Sequence, residues 1–256
     1  MRLVLFEVFG HNVYSYGLMI AIGVIIAGYM FTKRAEKLGY DEDKVFNLIV
    51  IAVICGVLGG KLLFIITEFK NIIKDPSILL NFGEGFVIYG AIILGALSIY
   101  IYCRKNKWNT VKIFDCVVPG VALAQGFGRI GCFLAGCCYG AENTGKFGVI
   151  FPEGALAPAG VSLYPTQVYS AIFDFALAAF LIWYSKRNRV DGHIFSLYII
   201  IYSVGRFLIE FLRNDPRGNV GVLSTSQFIA IFTFIFGLAI YFIQKQKERK
   251  KESEEV

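Results

Sequence analysis

Seven long apolar blocks alternate with short polar connections along this chain. Each block is about 20 residues long, which is the length of α-helix that crosses the hydrocarbon core of a bilayer. Charged, proline and turn-forming residues are concentrated between the blocks. The chain is therefore predicted to be an all-α, polytopic membrane protein with seven transmembrane helices. The predicted spans lie at about 13–32, 46–67, 87–103, 113–135, 166–185, 192–212 and 225–243.

The composition favours the same class. Of the 256 residues, 56% are hydrophobic and 17% are charged, whereas a soluble domain carries about 25% charged residues. This argues against a cytosolic enzyme, a secreted disulfide scaffold and a disordered chain. The net charge of +6 comes from short basic clusters between the apolar blocks. That placement is typical of topology signals and lipid contact, not of nucleic-acid binding.

The distribution of lysine and arginine predicts the orientation. Sixteen of them lie in the first, third and fifth loops and the C-terminal tail, against six in the N-terminal segment and the other loops. Loops rich in lysine and arginine stay cytoplasmic, so we expect the N-terminus outside and the C-terminus in the cytoplasm. The predicted organisation is a single seven-helix domain over 1–243 with an extracytoplasmic head loop at about 136–165. A charged cytoplasmic tail follows over 244–256.

Ionisable side chains within the predicted spans indicate a site near the outer surface. A charged group at the centre of a membrane helix costs about 2.5–3.5 kcal/mol, so it persists where it is paired or functional. Lys61, Arg129 and Arg206 lie in the outer parts of spans that run from inside to outside. Glu210 follows Arg206 by four residues, on the same helical face. An ion pair would explain these last two, but an anion site explains both arginines, since guanidinium groups match phosphate oxygens.

One segment, 128–140, combines a buried arginine with a dense run of glycines. Glycine allows backbone N–H groups to approach a ligand oxygen closely. The sequence GRIGCFLAGCCYG resembles the signature of the prolipoprotein diacylglyceryl transferase family, G-R-x-G-N-F-x-N-G-E-x-x-G. The glycines, Arg129 and Phe133 match that pattern.

Further motifs resemble the same family, in the same order, over roughly 14–243. Any one of them would be weak evidence, but together they are specific for the family fold. They are YGLM at 16–19, GGK at 59–61, the glycine-rich stretch 83–95, YPTQVY at 164–169, GRFLIEFLR at 205–213 and SQ at 226–227.

The resemblance implies an enzyme of the bacterial cell membrane, with multiple spans, that carries out the first step of lipoprotein maturation. It would transfer the diacylglyceryl group of phosphatidylglycerol to the lipobox cysteine of a prolipoprotein, and glycerol phosphate would leave. The implied partners are phosphatidylglycerol, prolipoprotein signal peptides with a lipobox cysteine and membrane lipid. No nucleic acid, metal or cofactor is expected. Two alternatives stay open: a lipid-modifying enzyme with another acceptor, and a non-enzymatic lipid or anion transporter.

Transferred to this sequence, the resemblance implies two overlapping sets of site residues. Both sets include the two arginines that we expect to bind the phosphate. The catalytic set is Arg129, Arg206, Tyr89 and Glu210. The substrate-binding set is Arg129, Arg206, Tyr16, Lys61, Gln167, Arg213 and Gln227.

The sequence departs from the family pattern at the acid–base groups. Tyr89 stands where the family has a histidine. Cys132, Ala135 and Cys137 replace its two asparagines and its glutamate. With Cys138, the segment holds three thiols within seven residues. Small packing residues, a disulfide and a metal site are all compatible with them, although C-x4-C-C is not a standard zinc pattern.

Overall fold

Seven helices of the computed structural model are long and apolar enough to cross a membrane. The structure describes residues 3–8, 11–79, 85–187, 190–215 and 218–254. The predicted all-α, polytopic fold with seven transmembrane helices is confirmed, while the orientation stays a prediction. The helices of the described residues are α1 Ser15–Glu36, α2 Glu42–Thr67, α3 Phe69–Lys74, α4 Ile88–Lys105, α5 Thr110–Ala135, α6 Thr166–Ser185, α7 His193–Glu210 and α8 Thr225–Glu254; α3 is the short one.

The last helix continues well past the predicted end of its span. Helix α8 runs to Glu254, so most of the segment predicted as a charged tail is helical. Its lysines, glutamates and glutamines are good helix formers and need no apolar partner. The cytoplasmic location of this tail stays a prediction.

Among the described residues, three small antiparallel hairpins supplement the helices. They pair β1 (Val4–Val8) with β2 (His11–Tyr14), β3 (Val149–Ile150) with β4 (Ser162–Leu163), and β5 (Asn219–Val220) with β6 (Leu223–Ser224). The second strand of each hairpin comes shortly before a helix, α1, α6 or α8. Each hairpin therefore fixes the direction from which the chain enters a span.

The chain divides into two compact units. The first contains residues 1–31 and 114–256, and the second contains 32–113. In the second unit, α2 and α4 pack at Gly59 and Gly90, where a Cβ on either glycine would clash with the carbonyl oxygen of the other. The single domain over 1–243 stays a prediction.

In the first unit, small residues let α1 and α5 approach each other closely. A Cβ on Gly23 would lie 3.0 Å from the Cα of Ala124, and one on Gly120 would lie 3.0 Å from the Cα of Ala27. Close backbone approach at small residues is the usual way in which membrane helices associate. Near the end of α5 and the start of α1, Gly131 faces Tyr16 in the same way.

Asp115 at the beginning of α5 caps α7. Its carboxylate accepts hydrogen bonds from the backbone N–H groups of Gly192 (2.5 Å) and Phe195 (2.7 Å). A carboxylate at a helix N-terminus satisfies N–H groups that lack partners within the helix. The buried Asp115 is therefore a structural residue, as expected for a capping group.

The head loop between α5 and α6 has a small core of its own, formed by Phe151, Ala157 and Leu163. Backbone hydrogen bonds attach the loop to neighbouring segments: Gly140 N–H donates to the Tyr164 carbonyl (3.0 Å), and Ala141 N–H donates to the carbonyl of Leu212 (2.9 Å), just past α7. The ends of α5 and α7 and the start of α6 are therefore held together. We call this region, with the starts of α1 and α8, the polar end of the first unit.

Candidate functional site

Arg206, near the end of α7, takes part in a polar network. Its Nη1 lies 2.7 Å from Glu210 Oε2, and its Nη2 donates to Ser226 Oγ at 2.9 Å. Glu210 is almost completely buried, with 2% of its side chain exposed, against 17% for Arg206. The hydroxyl of Ser224 donates to Glu210 Oε1 at 2.7 Å. Both charges are thus neutralised locally, and α7 is joined to the start of α8.

Gln227 belongs to the N-terminal cap of α8. The backbone N–H of Ser224 donates to Gln227 Oε1 at 3.1 Å, and the Gln227 N–H donates to Ser224 Oγ at 3.2 Å. This reciprocal pair is a capping box, for which the spacing S-x-x-Q is the sequence signature. Gln227 is buried in this arrangement, and its predicted contact with substrate stays a prediction.

Arg213, three residues beyond α7, binds Asp215 in a two-point contact. Its Nε and Nη2 donate to the two carboxylate oxygens at 3.1 and 2.9 Å. The hydrogen bond to this carboxylate raises the pKa of Arg213 despite the opposing effect of burial. Arg213 is therefore a permanent cation.

Arg129 differs from Arg206 and Arg213. No hydrogen bond or ion pair joins it to any residue that the structure describes, and it is half-buried. It lies within electrostatic range of Arg206, Arg213 and Asp174. Three arginines therefore lie within electrostatic range of one another at the polar end, and Arg129 donates none of its five N–H groups to a described residue.

Asp174, in the middle of α6, is a site residue that sequence reasoning assigned to packing. It is 2% exposed and lies within electrostatic range of both Arg129 and Arg206. No hydrogen bond fixes its carboxylate among the described residues. Its position inside a predicted span was the available signal, because an ionisable residue within the membrane indicates function by default.

The three cysteines of the signature converge on the same region. Their Sγ atoms all lie within 4.8 Å of one another, and none is in a disulfide. Gln167 Nε2 donates to the Cys137 carbonyl at 2.7 Å, and Thr166 Oγ1 donates to the Cys138 carbonyl at 2.8 Å. The first turn of α6 thus holds the cysteine turn in place. The predicted contact of Gln167 with lipid stays a prediction, since its side chain is buried here.

Cys138 is the most acidic of these thiols. Hydrogen bonds from Cys132 and Cys137, together with Arg213 and Arg129, lower the pKa of the Cys138 thiol well below its usual range. The same hydrogen bonding raises the pKa of Cys137. Of these two thiols, Cys138 is therefore the one whose thiolate is favoured, and Arg213 and Arg129 lie within electrostatic range of it.

The other predicted residues divide between the two units. Tyr16 lies within electrostatic range of Arg129 and the cysteines, which places it at the polar end. Lys61 and Tyr89 belong to the second unit. There the Lys61 ammonium lies 5.4 Å from the ring centre of Phe64, a cation–π distance, and Tyr89 lies in the first turn of α4.

This arrangement is suited to binding an anion. Guanidinium groups bind phosphate in a two-point geometry, and the interaction is strong where water is excluded. Two of the three arginines are pre-oriented by their own carboxylates, and the third is available for a ligand. The described residues of the polar end thus combine two arginines that are oriented by carboxylates with a third arginine that forms no hydrogen bond or ion pair with them.

Comparison with known proteins identifies the family. The family model described as prolipoprotein diacylglyceryl transferase matches residues 3–243. A phosphatidylglycerol–prolipoprotein diacylglyceryl transferase 2 of Clostridium perfringens is 60% identical over 99% of this chain and 100% of its own length. The transferases of Clostridium tetani (56% identical, 97% and 100% covered) and Dehalococcoides mccartyi (36%, 92% and 90%) are also similar. This chain belongs to the prolipoprotein diacylglyceryl transferase family.

Proposed function

We propose that this chain transfers the diacylglyceryl group of phosphatidylglycerol to the lipobox cysteine thiol of a prolipoprotein, the first step of lipoprotein maturation. The family and the names of its relatives support the reaction. The observation that carries the assignment to this site is Arg129. Its guanidinium has no hydrogen bond or ion pair to a described residue, and it lies within electrostatic range of Arg206 and Arg213, which each have a carboxylate partner.

The proposed chemistry is a substitution at carbon. The acceptor sulfur forms a bond to the glyceryl carbon as the bond from that carbon to the phosphate oxygen breaks. The thiol proton is lost to a base, and glycerol phosphate leaves with the electron pair of the broken bond. Negative charge grows on the leaving phosphate, so fixed cations that are already oriented stabilise the transition state more than the ground state.

The residues divide into proposed roles by their contacts. Arg129 binds the phosphate directly, and Arg206 and Arg213 contribute their remaining N–H donors and their charge. Glu210 orients Arg206. Gln167 and Gln227 act through the backbone that they hold.

The remaining predicted residues are proposed as additional contacts with the substrates. Tyr16 borders the polar end of the first unit. Lys61 and Tyr89 belong to the second unit and are proposed on the family resemblance alone. Tyr89 has a phenol in place of the family histidine. It is proposed as a hydrogen-bond donor to the phosphodiester, because a phenol with a pKa of about 10 is a poor base at neutral pH.

The proposed location is the bacterial cell membrane, with the polar end facing outward. The lysine and arginine distribution supports this orientation. A membrane-impermeant thiol reagent added to intact cells should label Cys138 and spare a cysteine introduced by Lys250→Cys in the described part of α8. Labelling in the reverse order would contradict the orientation while leaving the reaction unaffected.

The reaction is tested with purified chain, labelled phosphatidylglycerol and a lipobox peptide. Wild type should form a thioether product, and Arg129→Ala should form it at least about 100-fold more slowly. Arg104→Ala, in the last turn of α4, is the matched control and should retain activity. Donor turnover without peptide labelling would favour a different acceptor, and no turnover at all would overturn the enzymatic proposal.

A further inference from the structure

Three thiols of the first unit lie at the distance that a shared metal ion requires. Cys132 comes from the last turn of α5, and Cys137 and Cys138 come from the turn that follows. Ligands at about 2.3 Å from a common metal in a trigonal plane are about 4 Å apart. The Sγ atoms lie within 4.8 Å of one another, so a shift of a few tenths of an ångström per thiol would bring them onto one ion.

The backbone holds this arrangement without help from a ligand. Gly136 (φ +77°) and Cys138 (φ +60°) both adopt left-handed conformations that turn the chain back on itself. For a residue other than glycine this conformation is uncommon and marks a functional or strained position. The Cys137 N–H donates to the Cys132 carbonyl at 3.1 Å, and Gln167 holds the turn from α6. The thiols are therefore preorganised.

The ligand set selects the type of metal. Within the part of the chain that the structure describes, no histidine, carboxylate or fourth thiol joins the group. Soft thiolates select copper(I), zinc and iron–sulfur clusters, but structural zinc and iron–sulfur clusters take four protein ligands. An ion that is satisfied by three sulfurs fits this cluster best.

The charge of the surrounding residues also favours a monovalent metal ion. Three thiolates with one monovalent cation carry a net charge of −2. Arg129 and Arg213 both lie within electrostatic range of Cys138, so two guanidinium charges balance that complex. Binding requires only the release of thiol protons to solvent and no change in oxidation state.

We infer that Cys132, Cys137 and Cys138 form a three-thiolate binding site for copper(I). The site is separate from the proposed transfer reaction, since it needs neither lipid nor peptide. An ion bound there would change the charge next to Arg129, so its occupancy would modulate any anion bound at the polar end.

The test is a titration of the reduced, detergent-solubilised full chain with copper(I) in competition with a chromophoric copper(I) chelator, without oxygen. We expect one copper(I) per chain. Loss of a group that only hydrogen-bonds to a metal ligand already weakens metal binding by about 10–100-fold. Loss of a ligand in Cys132→Ser, Cys137→Ser or Cys138→Ser should therefore weaken it by more than about 100-fold. Cys55→Ser and Cys103→Ser, in the second unit, are the matched controls and should bind as wild type does.

X-ray absorption of copper-loaded wild type keeps the test independent of variants that fail to fold. Three sulfur neighbours at about 2.3 Å would support the site. Copper bound through nitrogen or oxygen would overturn it, as would affinity equal to that of the triple serine variant. A thiol count showing that two of the three cysteines form a disulfide in the reduced preparation would overturn it as well.

Discussion

Arg129 and Arg206 lie at the same end of the first unit, yet their surroundings differ. Arg206 has a buried carboxylate and a hydroxyl as partners, and its helix is joined to α8 through Ser224. Arg129 has no such partner among the described residues and lies next to the thiols of the α5 end. The comparison supports the proposal that Arg206 maintains the architecture of the site and that Arg129 binds the ligand.

The largest expected effect is a loss of stability when Arg206, in α7, is replaced. Arg206→Ala would leave Glu210 charged and buried, which costs about 3–5 kcal/mol of the free energy of unfolding. Arg129→Ala breaks no pair and should change it by less than about 1 kcal/mol. Thermal unfolding in detergent measures both. The double variant Arg206→Met, Glu210→Leu is the control and should recover most of the loss; equal destabilisation by the two alanine variants would remove the distinction.

Catalytic activity, unlike stability, should depend strongly on Arg129. Arg129→Ala should lower kcat/KM for thioether formation by about 10²–10³-fold, the effect of losing one oriented donor to a developing negative charge. Arg129→Lys keeps the charge but loses the two-point geometry, so it should recover only part of the activity. Wild-type rates in Arg129→Ala would show that this arginine does not bind the phosphate.

The pH dependence of alkylation should distinguish Cys138, just past the end of α5, from an ordinary thiol. Because the pKa of Cys138 is lowered, its thiolate persists as the pH falls from 8 to 6. For an ordinary thiol, with a pKa of about 8.5, the fraction present as thiolate falls about tenfold for each pH unit over this range. The alkylation rate of Cys138 in metal-free protein, measured by mass spectrometry, should therefore change little while that of glutathione falls. A parallel fall in both would contradict the lowered pKa.

Loss of the α8 cap should have a smaller effect on stability. Gln227→Ala removes the acceptor for the Ser224 N–H and should cost about 1 kcal/mol in the free energy of unfolding. Ser253→Ala, near the exposed end of the same helix, is the matched control. If Gln227→Ala instead lowers turnover without any change in stability, the predicted contact with substrate is favoured over the capping role.

The smallest effect is expected at Asp174. Its carboxylate lies within electrostatic range of both arginines and opposes the binding of an anion there. Asp174→Asn should therefore lower KM for phosphatidylglycerol by about threefold, given the modest size of such effects at an effective dielectric constant near 20. Asp191→Asn, in the connection before α7, is a control that should leave KM unchanged. A rise in KM for Asp174→Asn would mean that the carboxylate positions the arginines.

Much of this could be predicted from single segments of the chain. The seven spans follow from block length, and Arg129 and Arg206 were identified because a charge within a span is costly. Asp174 satisfied the same criterion but was interpreted as a packing residue, since nothing in its own segment revealed which helix it faces. Gln227 matched a family motif, and only its contacts revealed the capping box.

The sequence by itself determined the number of spans, the family and the arginines, because hydrophobic length and the cost of a buried charge are properties of one segment. The tertiary structure decided which arginine has a carboxylate partner. It also decided that three cysteines, from a helix end and the turn after it, have Sγ atoms within 4.8 Å of one another. Those properties depend on the rotation and register of neighbouring helices, and on backbone angles at two residues of a turn. Pairing is a relation between segments, so no single segment encodes it.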